Sequence, residues 1–221
     1  MIGKLIVIEG LDGSGKSTQI KLLEKKLSDE GFKVKYIKLP NYDDDACILV
    51  KQYLAGRFGS DPSDVNAYAA SSFYAVDRYV SYICYWRENY QSGDIILADR
   101  YTTSNAYHQM TKIDRNKWDA FLDWLEDYEY FKLGIPKPDC VIYLDMPVEI
   151  SQKLMTDRYS GDNGKKDIHE KNTDYLSKCR VAAEYACKKL GWIKISCAEG
   201  NEPLSPDEIS ERIIADIKKT I

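Results

Sequence analysis

Histidine is scarce in this 221-residue chain, with only His108 and His169. The six cysteines, Cys47, Cys84, Cys140, Cys179, Cys187 and Cys197, are spread along the chain without a C-x-x-C pair. Zinc sites need closely spaced Cys and His ligands, so the usual zinc spacings are excluded and the cysteines read as reduced and structural. No apolar run approaches the ~20 residues that cross a bilayer, and no charged and apolar leader precedes the first expected strand. These absences point to a cytoplasmic protein without a membrane partner. An excess of positive charge is missing too: 31 Lys and Arg stand against 35 Asp and Glu, a net charge of −4. Phosphate backbones are captured by basic surfaces, so a nucleic acid polymer is not the expected partner.

What is present begins with Gly10-Leu-Asp-Gly-Ser-Gly-Lys-Ser17, which fits G-x-x-x-x-G-K-[ST]. Ahead of it, Lys4 to Ile8 is a short apolar run rich in β-branched residues, suited to a strand buried on both faces. Behind it, Ile20, Leu22, Leu23 and Leu27 recur at helical spacing up to Gly31. The pattern is strand, glycine loop, helix. The main chain of Gly10, Leu11, Asp12, Gly13, Ser14 and Gly15 curls close to the phosphates of a nucleoside triphosphate, and the helix start through Thr18 adds its dipole. Lys16 brings a mobile positive charge, and Ser17 offers a hydroxyl to Mg²⁺.

Further strands are predicted over Lys33 to Leu39, Asp94 to Ala98, Cys140 to Leu144 and Trp192 to Ser196, with helical patterns between them. Such alternation specifies an α/β fold, a parallel sheet with helices on both faces. Long helices are expected from about Ser63 to Asn89 and near Arg115 to Phe131. On the second, Trp118, Phe121, Leu122, Trp124 and Leu125 read as core or dimer contacts. Ser205-Pro-Asp-Glu208 combines a capping box with proline at the first helical position. With 44% hydrophobic and 30% charged residues, the length suits one domain spanning 1–221.

Parallel sheets place ligands outside the carboxyl ends of their strands, and those ends carry GLDGSGKS, PNYDDD, DRYTTSN and DMPVE. Asp99 and Arg100 emerge there together. Asp99 suits holding Mg²⁺ opposite Ser17, and Arg100 can fork onto an acceptor phosphate; the alternative is a surface ion pair. Tyr74 and Arg78, four residues apart on one helical face, can grip a base by stacking and hydrogen bonding, or else form core plus salt bridge.

Taken in order, EGLDGSGKSTQ (Glu9 to Gln19), YAVDR (Tyr74 to Arg78), DRYTTSNAY (Asp99 to Tyr107) and PKPDCVIYLDMPVE (Pro136 to Glu149) resemble the thymidylate kinase family of P-loop kinases. The resemblance implies a P-loop kinase-type three-layer fold with strand order 2-3-1-4-5, a homodimer, and a mobile lid at about 158–170. It implies transfer of the γ-phosphoryl group of Mg-ATP to dTMP, with Lys16, Asp99, Arg100 and a lid cation as catalytic groups. Arg158 is the first choice for that cation, ahead of Lys165 and Lys166, because Gly13 stands where some members carry a loop arginine. Tyr74, with Phe73 beside it, takes the place of the aromatic that stacks on thymine, and Arg78 that of the arginine reading its O4. Asp12 matches the carboxylate near the sugar 3′-hydroxyl, and Ser104 and Asn105 fall in the segment lining the nucleotide. His108 stands where a tyrosine often approaches the sugar 2′-carbon. Leu39-Pro-Asn-Tyr42 lacks the arginine that relatives place after the second strand, leaving Arg57 as a candidate substitute. Other readings are kinases for another nucleoside or nucleoside monophosphate, or a P-loop switch, in which the acceptor-side residues would be surplus.

Overall fold

The computed structural model describes residues 2–158 and 173–221, and the side chains of residues 157, 158 and 173 are outside that description. Five strands, β1 (Lys4–Gly10), β2 (Val34–Lys38), β3 (Ile95–Asp99), β4 (Cys140–Asp145) and β5 (Ile193–Ser196), form a parallel sheet in the order β2-β3-β1-β4-β5. The helices are α1 (Lys16–Asp29), α2 (Ile48–Leu54), α3 (Ala67–Ser81), α4 (Arg87–Gln91), α5 (Thr102–His108), α6 (Trp118–Glu126), α7 (Val148–Arg158), α8 (Thr173–Leu190) and α9 (Pro206–Ile217). A short ribbon of β6 (Ala198–Glu199) and β7 (Glu202–Pro203), which periodicity does not reveal, follows β5. The lid segment expected at about 158–170, with Lys165 and Lys166, lies outside the described residues except for the backbone of Arg158.

Strand alternation divides the core in two. Ile6 and Ile8 of β1 join Leu97, Ile142 and Leu144 against Ile20, Leu23 and Leu27 of α1 and Ile209, Ile213 and Ile217 of α9. Leu5 and Val7, one residue out of phase, join Ile96, Ala98 and Tyr143 against Tyr107, Phe121, Leu125, Leu176 and Ala183 from α5, α6 and α8. Period-two side chains thus make one strand serve both helical layers. The strand order reverses at β1, whose neighbours are β3 and β4, so the crevice lies beyond its carboxyl end, where the glycine loop begins.

Helix ends follow the sequence. Gly31 (φ 92°) closes α1 with paired bonds from Gly31 N to Ser28 O (2.9 Å) and Phe32 N to Leu27 O (3.1 Å). Ser205 and Glu208 form the reciprocal cap of α9. The two long helices expected over 63–89 and 115–131 are instead interrupted. After α3 the chain widens into an i→i+5 turn at Tyr82–Trp86, and after α6 at Asp127–Lys132. One extra residue per turn re-aims the following side chains, which is how Trp86 and Glu129 both reach the interior. All six cysteines are free; five are buried, but Cys84 is exposed, which corrects its structural reading. No helix among the described residues is long and apolar enough to cross a membrane.

Candidate active site

The glycine loop needs its glycines for two different reasons. Gly13 (φ 78°) and Gly15 (φ 91°) adopt left-handed backbone, which L side chains disfavour. Gly13 is also crowded, because an added Cβ would lie 2.5 Å from Ser151 O and 2.9 Å from Met155 Cγ of α7. This chain therefore has no room for an arginine at position 13. Lys16 Nζ folds back to donate to Gly10 O (2.9 Å) and Leu11 O (3.0 Å) and lies 3.9 Å from Asp12 Oδ1. Burial, reinforced by Arg100, lowers its pKa to about 8 despite Asp12, Asp99 and Glu9. Ser14 is buried in the loop, whereas Thr18 is exposed on the first turn of α1.

Across from Lys16, β3 ends in Asp99 and the chain turns sharply through Arg100, which has φ 70°. A non-glycine residue in that region is strained by ~1–2 kcal/mol, and the turn aims the guanidinium into the cleft. Arg100 Nη2 donates to Asp12 Oδ1 at 2.5 Å, and Nη1 to Tyr107 Oη at 3.0 Å and Ser104 Oγ at 3.4 Å. Burial alone would raise the Asp12 pKa, but Arg100 and Lys16 hold it well below the usual carboxylate range. His108 Nε2 is 3.3 Å from Arg100 Nη1; a guanidinium only donates, so this nitrogen accepts and Nδ1 carries the proton. That proton faces Tyr175 Oη (3.3 Å) and Cys179 Sγ (3.5 Å). Ser17 Oγ donates to Asp99 Oδ2 at 3.2 Å, so a hydroxyl and a carboxylate share one spot, an all-oxygen donor set that fits Mg²⁺. Among the described residues no trio of His, Cys, Asp or Glu forms a metal cluster.

Two buried carboxylates hold this arrangement in place, and periodicity assigns a role to neither. Glu9 is fully buried on β1 and accepts from Tyr101 N (3.1 Å), Thr103 Oγ1 (2.6 Å), Ser104 Oγ (2.7 Å) and Tyr107 Oη (2.8 Å). It thereby pins the start of α5 to the glycine strand. Glu129 is equally buried and receives Arg78 through Nε (2.6 Å) and Nη2 (2.5 Å), Thr102 Oγ1 (2.8 Å) and Asn105 Nδ2 (3.4 Å). A carboxylate within an apolar run was the available signal for Glu9; for Glu129 the sequence offers none, since its inward position depends on the widened turn.

The cleft bounded by these groups has a volume of about 310 Å³. Asp12, Lys16, Ser17, Asp99 and Arg100 line it together with Tyr74, Arg78, Ser104, Asn105 and His108. Tyr74 meets Tyr53 edge-on at 6.4 Å. Arg78 lines the cleft, and its fork forms a salt bridge with Glu129, the second of the two readings of its position. Phe73 departs from expectation: it packs on Tyr53 and Phe58 and is not among the described residues of the cleft wall. Arg57 is exposed and also off that wall. Gln109 and Lys38, to which the sequence drew no attention, line it. Gln109 is almost fully buried, and its Oε1 has no hydrogen-bond partner among the described residues. Asn116-Lys117-Trp118-Asp119 has the letter order of a guanine signature, yet Lys117 pairs with Asp114, Asp119 with Tyr185 and Lys189, and none of the four lines the cleft.

A parallel sheet in this order, with the glycine loop on its central strand and a charged cleft at the reversal, defines a P-loop kinase-type protein. The thymidylate kinase family model matches residues 8–209, so the chain belongs to the thymidylate kinase family. Among its relatives, the thymidylate kinase of Mycobacterium tuberculosis is 29% identical over 196 residues, covering 85% of this chain and 87% of that protein. The probable thymidylate kinase of Thermococcus gammatolerans is 33% identical over 161 residues, covering 71% of this chain and 72% of that one. The solved thymidylate kinase of Candida albicans superposes with a TM-score of 0.71 at 22% identity, over 99% of this chain and 92% of the other. At that identity the last comparison bears on the fold alone.

Proposed function

We propose that this chain transfers the γ-phosphoryl group of Mg-ATP to dTMP, giving ADP and dTDP. The observation that carries the reading is the cleft itself, where Lys16 and Arg100 both approach one carboxylate oxygen, Asp12 Oδ1. The glycine loop, Gly10 to Thr18, cradles the donor phosphates, and Lys16 leaves its carbonyl partners for them. Arg100 exchanges part of its contact with Asp12 for the acceptor phosphate, a dianion for the most part near neutrality, so no strong general base is required. Asp12, released, lies toward the sugar 3′-hydroxyl. Tyr74 stacks on the base and Arg78 faces its O4, with Glu129 fixing the guanidinium; Ser104, Asn105 and His108 bound the sugar and base. Ser17 and Asp99 would hold Mg²⁺, which supplies charge neutralisation to the donor phosphates. Residues 1–221 act as one kinase domain, with 158–170 as the lid and Arg158 as its cation, shielding the transfer from water. The partners are small nucleotides in the cytoplasm and a second copy of the chain.

The test is a panel of nucleosides and nucleoside monophosphates incubated with labelled ATP, with Lys16→Ala as control. Label should pass to dTMP well ahead of dCMP, dAMP, dGMP and thymidine, and Lys16→Ala should abolish it. A nucleoside preferred over its monophosphate would overturn the assignment of Arg100 to an acceptor phosphate.

A further inference from the structure

The two ends of the Arg100 fork have unlike partners. Nη2 donates to the Asp12 carboxylate, whereas Nη1 donates to uncharged atoms, Tyr107 Oη at 3.0 Å, His108 Nε2 at 3.3 Å and Ser104 Oγ at 3.4 Å. The two hydroxyls can accept because each turns its own hydrogen to Glu9, at 2.8 Å from Tyr107 and 2.7 Å from Ser104. An imidazole nitrogen accepts only when the proton sits on the other nitrogen. For His108 the group that decides this comes from α8. Tyr175, almost fully buried, donates its Oη hydrogen to the His108 carbonyl at 3.2 Å, which leaves the same oxygen to accept from Nδ1–H at 3.3 Å. One hydroxyl thus grips the last residue of α5 at both its main chain and its ring. The rings themselves lie stacked, with centroids 6.1 Å apart. Cys179 Sγ, 3.5 Å from Nδ1, is a weaker acceptor for the same proton.

We propose that Tyr175 is a positioning residue for the acceptor phosphate: it fixes His108 as the Nδ1–H tautomer, and His108 Nε2 then holds Arg100 Nη1 while Nη2 turns from Asp12 to the phosphate. This rests on the kinase reading above and adds a residue to it. That reading requires Arg100 to give up part of its contact with Asp12, and a guanidinium leaving its carboxylate keeps its aim only through the partners that remain. The other tautomer of His108 would set one N–H against another, and a doubly protonated ring would set a second cation 3.3 Å from the guanidinium. Either state loosens the arginine.

Two measurements on the full chain test this. Its only histidines are His108 and His169, so long-range proton–nitrogen correlation spectra of the unsubstituted chain and of His108→Gln assign the His108 ring directly. The unsubstituted chain should show a protonated Nδ1 and a bare Nε2. Tyr175→Phe, which keeps the ring and removes only the hydroxyl, should mix the two tautomers. Calorimetry with dTMP, thymidine and ATP as separate ligands should show Tyr175→Phe weakening dTMP by about fivefold, as loss of one neutral hydrogen bond does, with thymidine and ATP within about twofold. The amide oxygen introduced by His108→Gln has no tautomer to fix, so in that background Tyr175→Phe should change dTMP affinity by less than about twofold. An Nε2–H ring in the unsubstituted chain overturns the proposal, as does a ring that keeps its tautomer in Tyr175→Phe, or unchanged dTMP affinity there. Equal losses for dTMP and thymidine, or the same dTMP loss in both backgrounds, would make Tyr175 a merely structural residue and overturn it too. Failure of the unsubstituted chain to bind dTMP would instead sink the kinase reading, and the role of Tyr175 with it.

Discussion

Lys16 is under opposing demands. Its ammonium must be buried deeply enough to exclude water, yet burial and the nearby Arg100 lower its pKa to about 8 from an ordinary 10.5. An arriving triphosphate favours the charged form, so the pKa in the complex lies above that in the free protein. The sign follows. Below about pH 7 both forms hold the proton and this group adds no pH dependence; above 8 the free protein has lost it, binding takes one up, and affinity falls as pH rises. Titration of ATP at about pH 9 in two buffers of different ionisation heat should therefore give net proton uptake, absent in Lys16→Met. Binding without uptake would mean that the lysine does not meet the phosphates. Arg100 shows the same economy in the backbone, since its left-handed φ places a guanidinium where an extended residue would aim it elsewhere.

At the scale of elements, the site is a junction of α3, α5 and the widened turn after α6, and Glu129 joins all three. Removing it strands Arg78, which is 3% exposed, as an unpaired buried charge. Glu129→Ala should cost about 3–5 kcal/mol in urea unfolding, and the paired change Arg78→Met/Glu129→Met should recover much of that loss. A single-variant loss below about 1 kcal/mol would place the pair in the weak class of solvated bridges. This junction also marks where the sequence stops being legible. β1 to β5 are found within a residue or two, β1, β3 and β4 because buried parallel strands are continuous apolar runs and the partly exposed β2 and β5 because they stand between helical patterns, and the glycine loop is found because its backbone demands leave a literal trace. Glu129 and the inward Trp86 depend on single extra residues in helical turns, which leave the apolar period almost unaltered. Phe73 and Tyr74 are adjacent letters, and the four-residue spacing to Arg78 favours Tyr74, the ring that lines the cleft while Phe73 packs on Tyr53 and Phe58.

At the scale of the whole molecule, α3 has two faces. Tyr74 and Arg78 look into the cleft, while Tyr68, Val76 and Tyr79 recur at helical spacing on the far side, at 44%, 43% and 40% exposure. Tyr68 continues this strip onto α6 through edge contacts with Phe121 and Trp124 at 5.4 and 4.7 Å. A strip of rings and a β-branched side chain on a rigid helix suits a self-complementary contact, in which the same patch meets itself about a two-fold axis. A stable dimer buries about 800 Å² per partner, so one charge at the centre of the patch should be enough to open it. On the proposed homodimer, the parent chain should sediment as a dimer at about 10 μM and Val76→Arg as a monomer. Because α3 carries the proposed base contacts, Tyr74 and Arg78, on its other face, the monomer should also lose dTMP affinity more than ATP affinity. A parent chain that is monomeric at that concentration would refute the interface. A monomeric Val76→Arg with full dTMP affinity would instead separate the two faces of the helix, leaving the base wall rigid without its partner.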